Sequence, residues 1–371
     1  MKISLALTLT LALALALATT TSASSILILL SHTPSQRASL HNLASSASAP
    51  FNFLSAPELA AVVGAPAHVH AAVASAVADL APQAKATVLP ARDAVRIDNL
   101  DSHAHAQSVA DALDTELAGL VDIVLVVGKG GSGSGLGSHG SVMATSRVGA
   151  GGVSPQTQRM LLGIPESEVG PGEGGVHVAV WGPGTFGVAS SDLQQYYDEF
   201  GVKNNVDLVT KPDFPGTPGG DNWGEGTLDA TQSSSIGLGV PIWVINSNAS
   251  AGNDETPAFG YSFLAFAAST AAVNESSLPG VLSFSLGSVS FEACSRLCQT
   301  LVKEHPLHSL DECYNYVQYK QRQVCMFPSA VVADRIEAEL AKITLRGVSM
   351  VGASGDGGSH FSTSPPFVMC V

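Results

Sequence analysis

Short apolar runs alternate with longer segments of helical period along most of the chain, and the alternation changes character part-way. Near the start, "SILILLS" (25–31) is strand-like. "FNFLSAPELAAVVGAP" (51–66) predicts a turn into a helix, with Ser55 as N-cap and Glu58 three residues on, the spacing of a capping box. "PAHVHAAVASAVADLAP" (66–82) predicts a second helix bounded by prolines, and "KATVLPARDAVRIDN" (85–99) a strand and a turn. Small strands mixed with short helices predict an α+β unit over residues 24–127.

From about residue 153 the order becomes regular. Strand-like "VHVAVW", "VDLVT", "PIWVIN", "GVLSFSLG" and "VSMVGAS" alternate with the helical segments "SSDLQQYYDEFG", "TLDATQSSSIGLG", "PAFGYSFLAFAASTAAVN" and "SAVVADRIEAELAKITLRG". Strands separated by helices predict β-α-β units and a parallel sheet with helices on both faces. Ligands of such sheets bind at the carboxyl ends of the strands.

Between the two regions lies "GKGGSGSGLGSHGSVMATSRVGAGGV". It contains G-x-G-x-x-G at Gly128, Gly130 and Gly133, but no helix pattern opens there and no acid follows about 20 residues on, as a dinucleotide site requires. Residues 128–152 therefore read as a Gly/Ser-rich linker suited to proteolytic processing.

The first 23 residues have one early charge, Lys2, an apolar stretch from Ile3 to about Ala18, and the small residues "TTTSA". This is the pattern of a signal peptide cleaved after Ala23, and no later run is long enough for a membrane span. The expected localisation is secreted, or lysosomal or vacuolar. A formal net charge of −14 argues against a nucleic-acid partner. In a secretory compartment Asn248 and Asn274 are glycosylation candidates. Of the five cysteines, Cys294, Cys298, Cys313 and Cys325 fall in a segment of about 291–327, with spacings that fit disulfides better than a zinc site, leaving Cys370 over.

Charged residues are only 13% of the chain, which makes the pair in "GGDNWGEGTLDA" conspicuous. A helix starting near Thr227 places Glu225 and Asp229 on one face, with Cβ atoms about 5–6 Å apart. Two such acids do not both ionise freely, which suits acid–base chemistry. A solvated helix N-terminus also attracts acidic side chains, so the pair alone leaves both readings open.

Taken together, "GEGTLDATQ", "VLSFSLG" and "VSMVGASGDGGS" resemble the sedolisins, or serine-carboxyl peptidases, relatives of subtilisin that include the lysosomal tripeptidyl-peptidase. "FNFLSAPELAAVVGAP", "VSPQTQRMLLGIP" and "QQYYDEFG" resemble the family's prosegment, catalytic-domain entry and first crossover. The resemblance implies a subtilisin-like parallel sheet, incomplete at its C-terminal side, over residues 153–371, preceded by a pro-domain at 24–127. It implies that Glu225 is the base of a serine nucleophile, that Asp229 orients Glu225 and shares its proton, and that Asp356 donates to the oxyanion. Ser285, Leu286 and Gly287 would pair with an extended substrate. The implied partners are a peptide or protein substrate and the protein's own pro-domain.

Two departures qualify the resemblance. The family's G-T-S nucleophile motif occurs nowhere in the sequence, and Ser359, Ser362 and Ser364 stand too close to Asp356 to replace it. The family's calcium ligands would likewise fall beyond residue 371. The expectation is therefore a zymogen of an acid serine-type peptidase, truncated at its C-terminal side, with neither nucleophile nor metal site in the chain and hence no activity of its own. The alternative is a non-catalytic secreted pseudoenzyme that binds peptides or inhibits a relative through its pro-domain.

Overall fold

The computed structural model describes residues 24–46, 53–128, 154–164, 176–183, 186–202, 206–208, 224–247, 249–250, 259–285, 299 and 329–353. Two sheets organise them, one antiparallel and one parallel, so the fold is mixed α/β.

The antiparallel sheet contains β1 (Ser24–Leu30), β2 (Lys85–Val88), β3 (Ala94–Leu100) and β4 (Val121–Val127), in the order β2-β3-β1-β4. Helices α1 (Pro34–Ser46), α2 (Ala56–Val63) and α3 (Ala67–Leu80) follow β1, and α4 (His103–Glu116) follows β3. This is a split β-α-β arrangement, in which each crossover leaves a gap that another strand fills. The capping residue at α2 works as its spacing predicts: Glu58 Oε2 accepts from both the backbone N–H and the hydroxyl of Ser55 at 2.7 Å. Strand alternation sends Ile26, Ile28 and Leu30 to one face, against Val69, Val73 and Val77 of α3 and Val109 and Leu113 of α4. Leu27 and Leu29 face the other way.

The parallel sheet contains β5 (Val178–Pro183), β6 (Val206–Leu208), β7 (Ile242–Ser247), β9 (Val281–Phe284) and β10 (Ser349–Gly352), in the order β10-β9-β5-β7-β6. Its central strands are buried on both faces, which is why they read as continuous apolar runs. On one face Val180, Ile242 and Val244 meet α6 (Ser190–Phe200) and α7 (Gly224–Ile236), with Leu193, Tyr197 and Ala230 between. On the other, Trp181, Leu282 and Phe284 meet α8 (Phe259–Ala272) and α9 (Ala330–Leu345). A short helix, α5 (Pro155–Leu161), packs on α7.

Helices α8 and α9 also cover the outer face of the antiparallel sheet, so Leu27, Leu29 and Leu125 belong to the same apolar cluster as Trp181 and Phe284. The layers therefore run α3/α4, antiparallel sheet, α8/α9, parallel sheet, α6/α7. A two-residue strand, β8 (Ala249–Ser250), extends the antiparallel sheet by pairing with Val126 and Val127 of β4. Among the described residues no single helix is long and apolar enough to cross a membrane.

Buried charge fixes α9 against the antiparallel sheet. Arg335 donates from Nη1 to the Leu30 carbonyl (2.7 Å), from Nη2 to Asp93 Oδ2 (2.9 Å) and from Nε to Glu339 Oε1 (2.9 Å). Lys342 Nζ donates to the same Asp93 oxygen at 2.7 Å and pairs with Glu339 at 2.5 Å. His32 Nε2 lies 2.8 Å from Asp93 Oδ2 as well. Burial alone would raise the Asp93 carboxyl, but Lys342 and Arg335 outweigh it and hold it well below the usual carboxylate range. Burial holds the His32 imidazole below its ordinary value despite its bond to Asp93.

Both groups bind protons more weakly in the packed state than when exposed. The unfolded state then holds more protons below their ordinary values, and stability rises with pH. The contact is strongest near neutrality and weakens on acidification in two stages, through His32 below its ordinary value of 6.5 and through Asp93 below 3.8. Calorimetry of the chain should show Tm falling from about pH 7 to about pH 5, and His32→Gln should flatten that first slope. Asp93→Asn leaves the buried cations Arg335 and Lys342 to share the one fully buried carboxylate of Glu339 and should cost about 3–5 kcal/mol in denaturant unfolding at neutral pH.

Candidate active site

The first turn of α7 sits at the carboxyl edge of the parallel sheet, and four contacts fix it there. In β5, Gly182 leaves room for the buried Phe186 ring; a Cβ on Gly182 would lie 2.2 Å from it. Asn246, near the end of β7, donates from Nδ2 to the Phe186 carbonyl at 3.1 Å. The chain leaving Phe186 then meets α7 twice. Gly226 packs so closely on Gly187 that a Cβ would fall 2.1 Å from the Gly187 carbonyl oxygen. One residue on, Thr227 Oγ1 accepts from the Ala189 N–H at 2.9 Å.

These contacts start α7 at Gly224, three residues before the position that the sequence predicts. Glycine disfavours a helix interior, so "GEG" reads as loop; the close approach at Gly226 overrides that propensity. Glu225 thereby enters the first turn, half-buried, and Asp229 follows on the same face one turn later.

Asp229 is the better defined of the pair. Ser285, the residue after β9, donates its hydroxyl to Asp229 Oδ1 at 2.7 Å. Asp229 Oδ2 is buried without a hydrogen-bond partner among the described residues. Burial pushes the Asp229 carboxyl up, and the Ser285 hydrogen bond only partly offsets this. The arrangement can hold and release a proton next to Glu225.

Three of the sequence-predicted site residues, Glu225, Asp229 and Ser285, thus lie at the same edge of the parallel sheet. Leu286, Gly287 and Asp356 lie outside the described residues, as do Cys294, Cys298, Cys313, Cys325, Cys370 and Asn248. Asn274 is exposed at the start of a 3-10 turn, Glu275–Ser277, with Glu275 and Ser276 exposed beside it. Among the described residues no group of three or more His, Cys, Asp or Glu side chains converges as metal ligands. Among the described residues nothing fits the calcium that the resemblance implies.

Sequence reasoning did not single out the supports of the site: Gly182, Phe186, Gly187, Gly226, Thr227 and Asn246. The available signal was weak, a "GEG" opening a helix and a polar Asn closing an apolar strand. Gly226→Ala should lower unfolding free energy by about 1–3 kcal/mol, the cost of overpacking against fixed backbone. Gly224→Ala is the control, because nothing lies within 4 Å of its added Cβ. Parallel denaturant curves should separate the two; equal stability would count against the close contact as the anchor of α7.

Compared with protein-family models and with curated proteins, the chain matches none.

Proposed function

We propose that this protein is an acid serine-type peptidase of the sedolisin kind, made as a secretory zymogen whose N-terminal α+β unit packs on a subtilisin-like domain. The observation that carries the reading is the Asp229 carboxyl. It is raised by burial, hydrogen-bonded to Ser285 and one helical turn from Glu225, at the ligand-binding edge of a parallel sheet.

In this reading Glu225 takes the proton of a serine hydroxyl as it attacks the scissile carbonyl, then returns it to the leaving amine. Asp229 orients Glu225 and exchanges a proton with it. Asp356, protonated in acid, donates to the oxyanion. The strand end at Ser285, Leu286 and Gly287 pairs with the extended peptide backbone. The linker at 128–152 is the processing region, and Asn248 and Asn274 carry glycans. The serine itself has no G-T-S motif in the 371 residues. The second reading is a secreted pseudoenzyme that binds peptides at the same strand end without cleaving them.

The test is the full product of the native gene, purified and incubated with a peptide library between about pH 3 and pH 6, near the ordinary carboxylate range. Cleavage should appear in acid and fade toward neutrality. Glu225→Gln should lose it by about 100-fold or more, since an amide cannot accept the proton. Asp356→Asn should be milder, because Asn still donates to the oxyanion. Peptide binding without cleavage would select the second reading; full turnover by Glu225→Gln would remove the first.

A further inference from the structure

Along β9, Leu282 and Phe284 face α8, so the alternate positions face α7, and Ser285 continues that set just past the strand. Its hydroxyl is thereby aimed at the second turn of α7, where it meets one oxygen of Asp229 at 2.7 Å. A hydroxyl donating to Oδ1 distinguishes two otherwise equivalent oxygens. Oδ1 is the acceptor, and Oδ2 is left buried with no partner among the described residues. A buried, unpaired carboxylate oxygen is costly, whereas a proton on it removes the charge.

Among the described residues, other titratable groups facing this part of α7 are few. Glu225 lies on the helix itself. From α6, Tyr197 donates to Ser234 at 3.1 Å, Tyr196 bonds Ser235, and Asp192 accepts from Ser191. Arg159 of α5 reaches the other end of the helix, at the Ile236 carbonyl. β5 and β7 carry no titratable side chain within their bounds.

We propose that Ser285 is a positioning residue for Asp229, its hydroxyl holding Oδ1 so that Oδ2 is the oxygen that carries the exchangeable proton. This rests on the peptidase reading for its purpose but not for its geometry. When Glu225 needs a proton, the O–H bond at Asp229 Oδ2 breaks and one forms on the Glu225 carboxylate. The charge left on Asp229 is met by the Ser285 hydroxyl, a hydrogen bond that strengthens as its acceptor ionises. Ser285 thus sets how readily the proton leaves, in addition to the backbone pairing expected of a strand end.

The experiment is a carbon-13 titration of the full 371-residue chain labelled at the aspartate carboxyl carbons, with Asp229 assigned by the signal lost in Asp229→Asn. Ser285→Ala removes one oxygen from a half-buried site and should raise the Asp229 midpoint by about one pH unit, the scale of one charge-assisted hydrogen bond. Ser285→Thr keeps the donor and should titrate like the wild type. An unchanged midpoint in Ser285→Ala, or a Ser285→Thr variant that titrates like Ser285→Ala, would overturn the proposal. A shifted midpoint in a protein that cleaves no peptide supports the role of Ser285 and counts only against the peptidase reading.

Discussion

Two sheets can share one pair of helices only if those helices are buried on both sides, and α8 and α9 meet that demand in different ways. α8 does it mainly with apolar side chains, Phe263, Leu264, Phe266 and Ala267, while its buried Ser262 and Thr270 hydroxyls are hydrogen-bonded to backbone. α9 does it with Val332, Ile336 and Ile343 together with a row of charge, Arg335, Glu339 and Lys342. The charged row is tolerable because each member has opposite charge within bonding distance and Arg335 also reaches backbone oxygen. The relative placement of the two sheets depends on this contact. Its groups are titratable, so the same contact that orders the molecule near neutrality is the one that acid undermines.

The carboxyl edge of the parallel sheet depends on that packing at one remove. Phe284 of β9 is locked in an aromatic cluster with Trp181, Phe263 and Phe266 beneath α8. That fixes the strand whose next residue, Ser285, bonds Asp229 from the other face. On the α7 side, the glycine contact and the Thr227 bond hold the helix that carries both acids. The Asp229 carboxyl is thus set between two packed elements, the placement that the proposed proton exchange requires.

Much of this fold was legible in the sequence because parallel strands announce themselves as short continuous apolar runs, and β5, β7 and β9 fall where those runs lie. Two helices carried little signal. α1 fully buries only Leu40 and leaves Leu43 exposed, while the stripe of α4 consists largely of small residues, Ala106, Val109, Ala110 and Leu113, after an effective Ser102 cap. The i, i+4 placement of Glu225 and Asp229 was readable from spacing. The early start of α7 was not, because propensity is local and the contact at Gly187 is tertiary. The charged cluster was equally hidden: His32, Asp93 and Asp122 each look like solvated polar residues until the fold brings Asp93 to Arg335 at 2.9 Å, Asp122 to Arg335 at 3.3 Å, and His32 to Asp93. The spacing of Arg335, Glu339 and Lys342 on one helix face was its only local trace.

The central claim is that the Glu225–Asp229 pair activates a serine. Its most direct measurement is acid-quenched mass spectrometry of the full native gene product during turnover of a peptide ester at acid pH, mapping any acyl adduct. The account predicts an adduct on a serine hydroxyl that disappears in Glu225→Gln. Turnover with no serine adduct, or an adduct unaffected by Glu225→Gln, would contradict it.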